Sequence, residues 1–263
     1  MKAGFSTIGC PDLYFDDVIS LSKEYGFSNI EIRALENKMY LPDVKDFGED
    51  RLKDTLLKLR KARISVACLT SRCCLENGRQ YLDEAKNYVI LAEKLKIPFV
   101  RVLGDAMPEP GTADTDLVFG LLCALDEFAK DYSVMPLIET NGVYANSLFL
   151  KQIFTEGNFK HIGVLWDIHH PYVYYKESPE YTYSNLSEYI KYMHIKDSVV
   201  KNGRVTYVPV GEGTVPVKEC IKLCRSGGFK GPYTLEWVKV THPELENIEN
   251  VLLEYKNYIN TIK

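Results

Sequence analysis

Eight short β-rich runs separated by helical stretches are the feature that most restricts the fold of this chain. The runs begin at positions 2, 29, 63, 98, 135, 161, 192 and 233. Apolar residues recur at helical spacing between them, as in 15–26, 79–96 and 115–132, and a helix-like segment, 243–259, closes the chain. Strands that alternate with helices form parallel βαβ units, because parallel neighbours need a crossover connection. The pattern therefore predicts an α/β fold, a (β/α)₈ TIM barrel that occupies 1–263 as a single domain.

One segment, 196–213, interrupts this alternation. It has two β-rich arms around Lys-Asn-Gly, which predicts a β-hairpin inserted after the seventh strand, on the loop side where barrel sites are found. A doubly wound open sheet is the alternative architecture. The glycine fingerprint GxGxxG that would favour it is absent after the first strand.

Composition argues against several classes of protein. The chain is 46% hydrophobic and 26% charged, and its formal net charge of −4 shows no basic surplus for binding nucleic acid. No apolar run approaches the roughly 18 residues of a membrane span, and the first residues do not resemble a signal peptide. We therefore expect a cytoplasmic protein without a membrane partner. The seven cysteines form no CxxC pair, which predicts reduced, mostly buried thiols.

The last four barrel strands each carry a potential metal ligand near their end. These side chains are three carboxylates and one imidazole: Glu139, Asp167, His194 and Glu236. Because the carboxyl ends of barrel strands meet at one mouth, we predict that the four residues form a metal site. Any one of them could instead be a solvated rim residue. The oxygen-rich, thiolate-free set favours Mn²⁺, although Mg²⁺, Co²⁺, Zn²⁺ or Fe²⁺ could also occupy it.

Such a site would suit proton transfer next to a carbonyl group. A divalent ion with open positions can bind two neighbouring oxygens of a hydroxy-ketone or hydroxy-aldehyde and stabilise the enediolate that forms when a carbon-bound proton leaves. Glu139 and Glu236 could remove and return that proton. Lys196 lies two residues after His194 and on the same strand face, so it could stabilise a substrate oxyanion or serve as an interior salt-bridge partner.

Two further positions near strand ends concern the interior of the barrel. Glu31 and Arg33 close the second strand and could line the mouth, and we expect Glu31 to form an interior ion pair with Arg101.

In the sixth strand, alternation alone would place Asp167 and His169 on one face, since they are two residues apart.

The chain resembles the xylose isomerase-like TIM barrels, in particular the sugar phosphate isomerase and epimerase group, which includes inosose dehydratase and isomerase, hydroxypyruvate isomerase and the ketose 3-epimerases. The segments that carry the resemblance occur in order: GFSNIEIR, PFVRVLGD, LIETNG, GVLWDIHHPY, YMHIKDS, VGEGTVPV and GGFKGPYTLEW. The resemblance implies that the same four residues hold the metal and that the two glutamates are the acid/base pair. Its D-x-x-H pattern falls on Asp167 and His170, so it implies that His170, and not His169, contacts the substrate.

The chain departs from the ketose 3-epimerases at two positions. These enzymes have a glutamate six residues after the first metal glutamate and an arginine six residues after the metal histidine, where this chain has Ala145 and Val200. Both differences argue against a plain ketose 3-epimerase. Asn141 and Lys196 are then polar groups left to bind substrate, and Lys196 with Arg101 would suit a carboxylate or phosphate group.

The resemblance therefore implies a metal-dependent isomerase or epimerase of a sugar, sugar phosphate or related compound, with a small carbohydrate or keto acid as its partner. A dehydratase of an inosose-like ketone is the main alternative, because the same enolate can expel a β-hydroxyl group. A non-catalytic sugar-binding barrel and an AP endonuclease are the others. The endonuclease needs many histidines for three zinc ions, and this chain has five. A homo-oligomer is compatible with the sequence.

Overall fold

Ten strands and nine α-helices make up the computed structural model, which describes residues 2–111 and 113–262. The strands are β1 (Lys2–Ser6), β2 (Asn29–Ile32), β3 (Ser65–Cys74), β4 (Phe99–Leu103), β5 (Met135–Glu139), β6 (Gly163–Asp167), β7 (Ile190–Ile195), β8 (Asp197–Lys201), β9 (Arg204–Val208) and β10 (Pro232–Leu235). The helices are α1 (Phe15–Glu24), α2 (Leu52–Ala62), α3 (Arg79–Leu95), α4 (Thr115–Ala129), α5 (Ser147–Gly157), α6 (His169–Tyr175), α7 (Pro179–Leu186), α8 (Val217–Ser226) and α9 (Ile248–Thr261). None of these helices is both long enough and apolar enough to cross a membrane.

Eight of the strands pair in parallel and close into a barrel. Around the barrel the order is β1, β10, β7, β6, β5, β4, β3, β2, so every barrel strand lies beside its neighbours in the sequence order of the barrel strands, and β10 closes the barrel against β1. The predicted TIM barrel is confirmed. The strand boundaries differ slightly from the apolar runs: β7 begins at Ile190, and β10 ends at Leu235, one residue before Glu236.

The predicted hairpin after the seventh barrel strand is also confirmed. The strands β8 and β9 pair antiparallel, and Asn202 and Gly203 between them have φ values of 51° and 75°. Positive φ at both central residues is the conformation of the tight turn that Asn-Gly favours. The carboxylate of Asp197 accepts backbone hydrogen bonds from Gly211 and Gly213, each at 3.0 Å, and so anchors the chain that returns from the hairpin.

The interior of the barrel is apolar toward the amino ends of its strands and polar toward their carboxyl ends. A small cluster of Ala67, Cys68, Leu137, Leu165 and Tyr192 fills it, separately from the larger core that packs the helices against the outer faces of the strands. Leu137, Leu165 and Tyr192 each lie two residues before a predicted metal ligand. Since strand side chains alternate, each ligand points inward above its apolar neighbour.

The seven cysteines are free thiols, and Cys123 on α4 is the one that is exposed. Burial raises the pKa of the adjacent Cys73 and Cys74 thiols to about 12, which keeps them protonated. We expect brief treatment of the folded protein with iodoacetamide to alkylate Cys123 first, as measured by peptide mass spectrometry. Equally early alkylation of Cys73 or Cys74 would contradict the tight packing of β3.

Candidate functional site

The four predicted ligands come together at the carboxyl end of the barrel. One ligand atom from each of Glu139, Asp167, His194 and Glu236 lies within 4.8 Å of the others, and all four residues are buried. The barrel order explains this meeting, because β5, β6, β7 and β10 are consecutive around the barrel although the hairpin separates β7 from β10 in the sequence.

The imidazole of His194 is held from both sides. Its Nε2 lies 2.9 Å from Oε2 of Glu31, whereas its Nδ1 lies 3.1 Å from Oε1 of Glu139 and 3.3 Å from Oε1 of Glu236. Burial disfavours the charged ring, but the surrounding carboxylates, Glu236 first, raise the pKa of His194 well above its usual value. Glu31 therefore leaves Nδ1 as the nitrogen that faces the other ligands.

The expected ion pair between Glu31 and Arg101 is wrong. Glu31 bonds to His194, and Nε of Arg101 instead lies 3.1 Å from Oε2 of Glu139. The pairs that form depend on the distances between side chains across the barrel interior, and the sequence does not specify those distances. The inward position of Glu31 in the apolar run NIEIR was the available signal, since a buried carboxylate requires a hydrogen-bonding partner.

The two glutamates have matching surroundings. Each directs Oε1 toward His194, while Oε2 is held by a cation: Arg101 for Glu139, and Lys196, at 2.6 Å, for Glu236. Burial disfavours ionisation, but Arg101 and His194 keep the pKa of Glu139 well below its usual value. In the same way, His194 and Lys196 lower the pKa of Glu236 to about 2 despite burial. Both groups are thus ionised at neutral pH, which is the form that binds a metal.

Lys196 lies between two carboxylates. Its Nζ is 2.7 Å from Oδ2 of Asp167 and donates to Oε2 of Glu236. Burial opposes its charge, yet Asp167 and Glu236 raise the pKa of Lys196 well above its usual value. Lys196 therefore forms the interior salt bridge that was one of its two expected roles, and it also lines the cavity above the site.

The chain turns immediately after Asp167, and this turn sends the two adjacent histidines in different directions. Ile168 has α-helical φ and ψ values of −70° and −20°, and α6 begins at His169. Asp167 and His170 consequently lie on one face, and Nε2 of His170 is 3.8 Å from Oδ2 of Asp167. Nδ1 of His170 must carry a proton, because it lies 2.9 Å from the carbonyl oxygen of Thr140. Burial lowers the pKa of His170, so its Nε2 is an unprotonated acceptor.

His169 packs away from the site, against the hairpin. Its Nε2 is 2.9 Å from Oγ of Ser198, and its ring centroid is 5.4 Å from that of Tyr207. Asp167, His169 and His170 also have ligand atoms within 4.8 Å of one another. The hydrogen bond to Ser198 occupies one nitrogen of His169, and its ring does not line the cavity.

A cavity of about 780 Å³ opens above the four residues. Its lining includes, near the site, Arg33, Arg101, Glu139, His170, Lys196 and Glu236, and farther out Met107, Glu109, Tyr174, Tyr207 and His242. Asn141 also lines it, but Nδ2 of this residue donates to the carbonyl oxygens of Asp105 and Met107 at 2.8 and 3.0 Å. Asn141 thus holds the loop after β4 and leaves Oδ1 for other partners.

A larger cavity, of about 920 Å³, lies at the opposite end of the barrel. Residues near the amino ends of the strands line it, such as Lys2, Asn29 and Pro232, and none of the four predicted ligands does. Chemistry, rather than volume, therefore identifies the candidate site.

The four residues fit a divalent metal ion. Their mutual spacing, within 4.8 Å, matches the roughly 4–5 Å between ligands on opposite sides of one ion. Oδ2 of Asp167 is buried and has no aligned hydrogen-bond donor, although Nζ of Lys196 is close to it. Such an oxygen is available to a metal. The hydrogen bond that Nε2 of His194 donates to Glu31 is the kind of contact that orients metal-binding histidines.

Comparison with known proteins gives a family and a fold. A family model described as "Xylose isomerase-like TIM barrel" matches residues 19–255. No curated protein matches the sequence. Among solved structures, the probable 3-DHS dehydratase AsbF of Bacillus anthracis is 17% identical with a TM-score of 0.80 and coverage of 99% of each chain.

Two other similar structures contain metals. The IOLI protein with a bound zinc atom is 17% identical with a TM-score of 0.79, over 100% of this chain and 98% of that chain. A xylose isomerase-like TIM barrel protein from Mycobacterium smegmatis in complex with magnesium is 16% identical with a TM-score of 0.76, over 99% of this chain and 95% of that chain. At these identities the similarity shows a shared fold.

Proposed function

The chain belongs to the xylose isomerase-like TIM barrel family, and we propose that it is a divalent-metal-dependent isomerase or epimerase of a sugar, a sugar phosphate or a related hydroxy-carbonyl compound. The observation that carries the proposal is the convergence of three buried carboxylates and one oriented imidazole beneath a cavity. A cavity of about 780 Å³ is within the usual range for small-molecule sites, which supports a substrate of this size.

In this proposal the metal is held by Glu139, Asp167, His194 and Glu236. When bound, a divalent ion would polarise neighbouring hydroxyl and carbonyl oxygens of the substrate and stabilise an enediolate. Mn²⁺ is the ion that the oxygen-rich set favours, with Mg²⁺, Co²⁺, Zn²⁺ and Fe²⁺ as alternatives.

The surrounding residues would move protons and position the substrate. Glu139 and Glu236, which both contact Nδ1 of His194, would remove and return the carbon-bound proton. Lys196 touches Oε2 of Glu236 and would stabilise negative charge that develops on a substrate oxygen. His170 would accept a hydrogen bond from a substrate hydroxyl through its unprotonated Nε2, and Asn141 would contribute its Oδ1.

Hydrogen exchange in deuterated water tests the proposal. The Mn²⁺-loaded protein is incubated with a panel of neutral sugars, sugar phosphates and hydroxy-keto acids, and deuterium at carbons that bear a hydroxyl is followed by NMR. Incorporation into at least one member is expected. Loss of water from a ketone of the panel would identify the dehydratase alternative, and binding of panel members without exchange would identify a sugar-binding barrel.

Glu31 is expected to orient His194, and its replacement tests this role. The Glu31→Gln variant should bind Mn²⁺ about 10–100-fold more weakly, because a neutral amide no longer favours the ring orientation and basicity that metal binding needs. Competition with a chromophoric chelator measures the affinity. Glu84→Gln is the control, since Glu84 pairs with Arg72 outside the barrel interior. Unchanged affinity in Glu31→Gln would show that Glu31 does not position the histidine.

A further inference from the structure

Four arginine or lysine side chains line the cavity. Arg204 is exposed on β9, and of the other three, two are already paired. Arg101 contacts Glu139, with Nε 3.1 Å from Oε2. Lys196 contacts both Asp167 and Glu236. These were the two residues that the sequence offered for a carboxylate or phosphate group, and carboxylates of the protein itself engage both of them.

Arg33 is the third cation, and its surroundings differ. Within the part of the chain that the structure describes, its guanidinium has one side-chain hydrogen-bond partner, the sulfur of Met39 at 3.9 Å, and no carboxylate at ion-pair distance. Its Nε is buried without a hydrogen-bond partner; the same holds for Nε and Nη1 of Arg101, but Arg101 has the carboxylate of Glu139 at ion-pair distance. Burial, and then the neighbouring Arg101, lower the pKa of Arg33 to about 10, so the group is still charged at neutral pH. Arg33 is half-buried. A charge that is partly withdrawn from water and lacks an ion-pair partner is unfavourable, and the guanidinium has donors to offer an anion.

The charges of the site lead to the same conclusion. Four carboxylates point into this layer of the barrel: Glu31, Glu139, Asp167 and Glu236. The cations Arg33, Arg101 and Lys196 offset three of them. A divalent ion held by the four ligands, with His194 neutral, would leave the site one positive charge in excess. Of these three cations, Arg33 is the one with no carboxylate within 4.0 Å among the described residues.

We propose that Arg33 forms an anion subsite and that the substrate carries a carboxylate or phosphate group which this guanidinium binds. The inference rests on the proposed function, and it narrows the substrate class from hydroxy-carbonyl compounds in general to anionic ones. Arginine suits the task because its planar fork can donate two parallel hydrogen bonds to either kind of anion. Arg33 lines the same cavity as two of the proposed metal ligands, Glu139 and Glu236, so one small molecule can contact both the guanidinium and the metal site.

Binding of three related probes tests the subsite without any need for turnover. Glycerol, D-glycerate and glycerol 3-phosphate share a hydroxylated three-carbon chain and differ in the anionic group. Their affinities are measured by calorimetry for the wild type and for Arg33→Gln, each with and without Mn²⁺. We expect the two anions to bind the wild type about 10–100-fold more tightly than Arg33→Gln, with or without the metal. Glycerol should bind both proteins equally.

Two further variants complete the experiment. Arg33→Lys keeps the charge and loses the fork, so it should retain part of the preference for anions, which guards against a folding defect in Arg33→Gln. Arg63→Gln removes an exposed arginine at the other end of the barrel and should behave as the wild type. D-glycerate and glycerol 3-phosphate are then compared by how much affinity each loses in Arg33→Gln. The anion with the larger loss indicates whether the substrate bears a carboxylate or a phosphate.

The outcomes separate this inference from the proposed function. Equal anion binding by the wild type and Arg33→Gln, or no preference of the wild type for either anion over glycerol, would overturn the subsite, even if Mn²⁺ binds and exchange occurs with neutral sugars. If anion binding depends on Arg33 but Mn²⁺ does not bind to the four proposed ligands, the subsite stands and the proposed metal-dependent chemistry fails.

Discussion

Replacement of Asp167 by asparagine is expected to lower the affinity for Mn²⁺ by more than about 100-fold and to abolish hydrogen exchange. Loss of a residue that hydrogen-bonds a metal ligand typically lowers the metal affinity about 10–100-fold, and loss of a direct ligand should lower it further. The substitution is nearly isosteric, yet it removes the charge on Oδ2, which lies beside Nζ of Lys196 and is buried without an aligned donor. Metal content after purification and competition with a chelator measure the effect.

Asp116→Asn is the matched control, because Asp116 is exposed in the first turn of α4. It should bind metal and exchange hydrogen as the wild type does. Thermal unfolding of the metal-free proteins shows whether Asp167→Asn still folds. Equal metal stoichiometry and affinity in Asp167→Asn and the wild type would remove Asp167 from the proposed ligand set.

Replacement of Glu236 by glutamine should slow deuterium exchange by about 10²–10⁴-fold, even where metal analysis shows that Mn²⁺ is bound. This is the usual contribution of a general acid or base, and a carboxamide cannot accept the proton. The variant also replaces the carboxylate that contacts Nζ of Lys196 at 2.6 Å. Exchange is followed at saturating metal and substrate, so that weaker binding of either does not contribute to the measured rate.

Two comparisons make this result specific. Glu244→Gln, at an exposed position after β10, should leave the rate unchanged. Glu139→Gln should be impaired in the same way as Glu236→Gln, because the proposal assigns the two glutamates to opposite proton transfers. A metal-loaded Glu236→Gln protein that exchanges within about threefold of the wild type would rule out Glu236 as an acid or base.

Much of the fold followed from local patterns. Apolar periodicity marks each strand and helix, and the alternation of the two requires parallel pairing. The turn at Asn202 and Gly203 identified the hairpin, because those residues accept positive φ values. The ends of elements were less certain. Glu236 lies one residue beyond β10, although its backbone N–H still donates to the carbonyl oxygen of Ile195 on β7 at 3.0 Å.

For the candidate site, too, the sequence predicted one part and only the structure revealed the other. The set Glu139, Asp167, His194 and Glu236 was predictable, because parallel strands in a barrel bring their carboxyl ends to one mouth. The partner of His194 was not predictable. Glu31 is on β2, which β1 and β10 separate from β7 around the barrel, and the two side chains meet only across the interior.

By itself, then, the sequence determined the barrel, the hairpin and which strands supply the polar residues, since these depend on periodicity and on interactions between near neighbours. Only the tertiary structure decided the pairings. The turn at Ile168 placed His170 rather than His169 in the lining of the cavity. Distances inside the barrel paired Arg101 with Glu139 and left Arg33 without a carboxylate at ion-pair distance in the described part of the chain. Electrostatic and hydrogen-bonding contacts act over a few ångströms, and folding brings together residues whose separation along the chain says nothing about those distances.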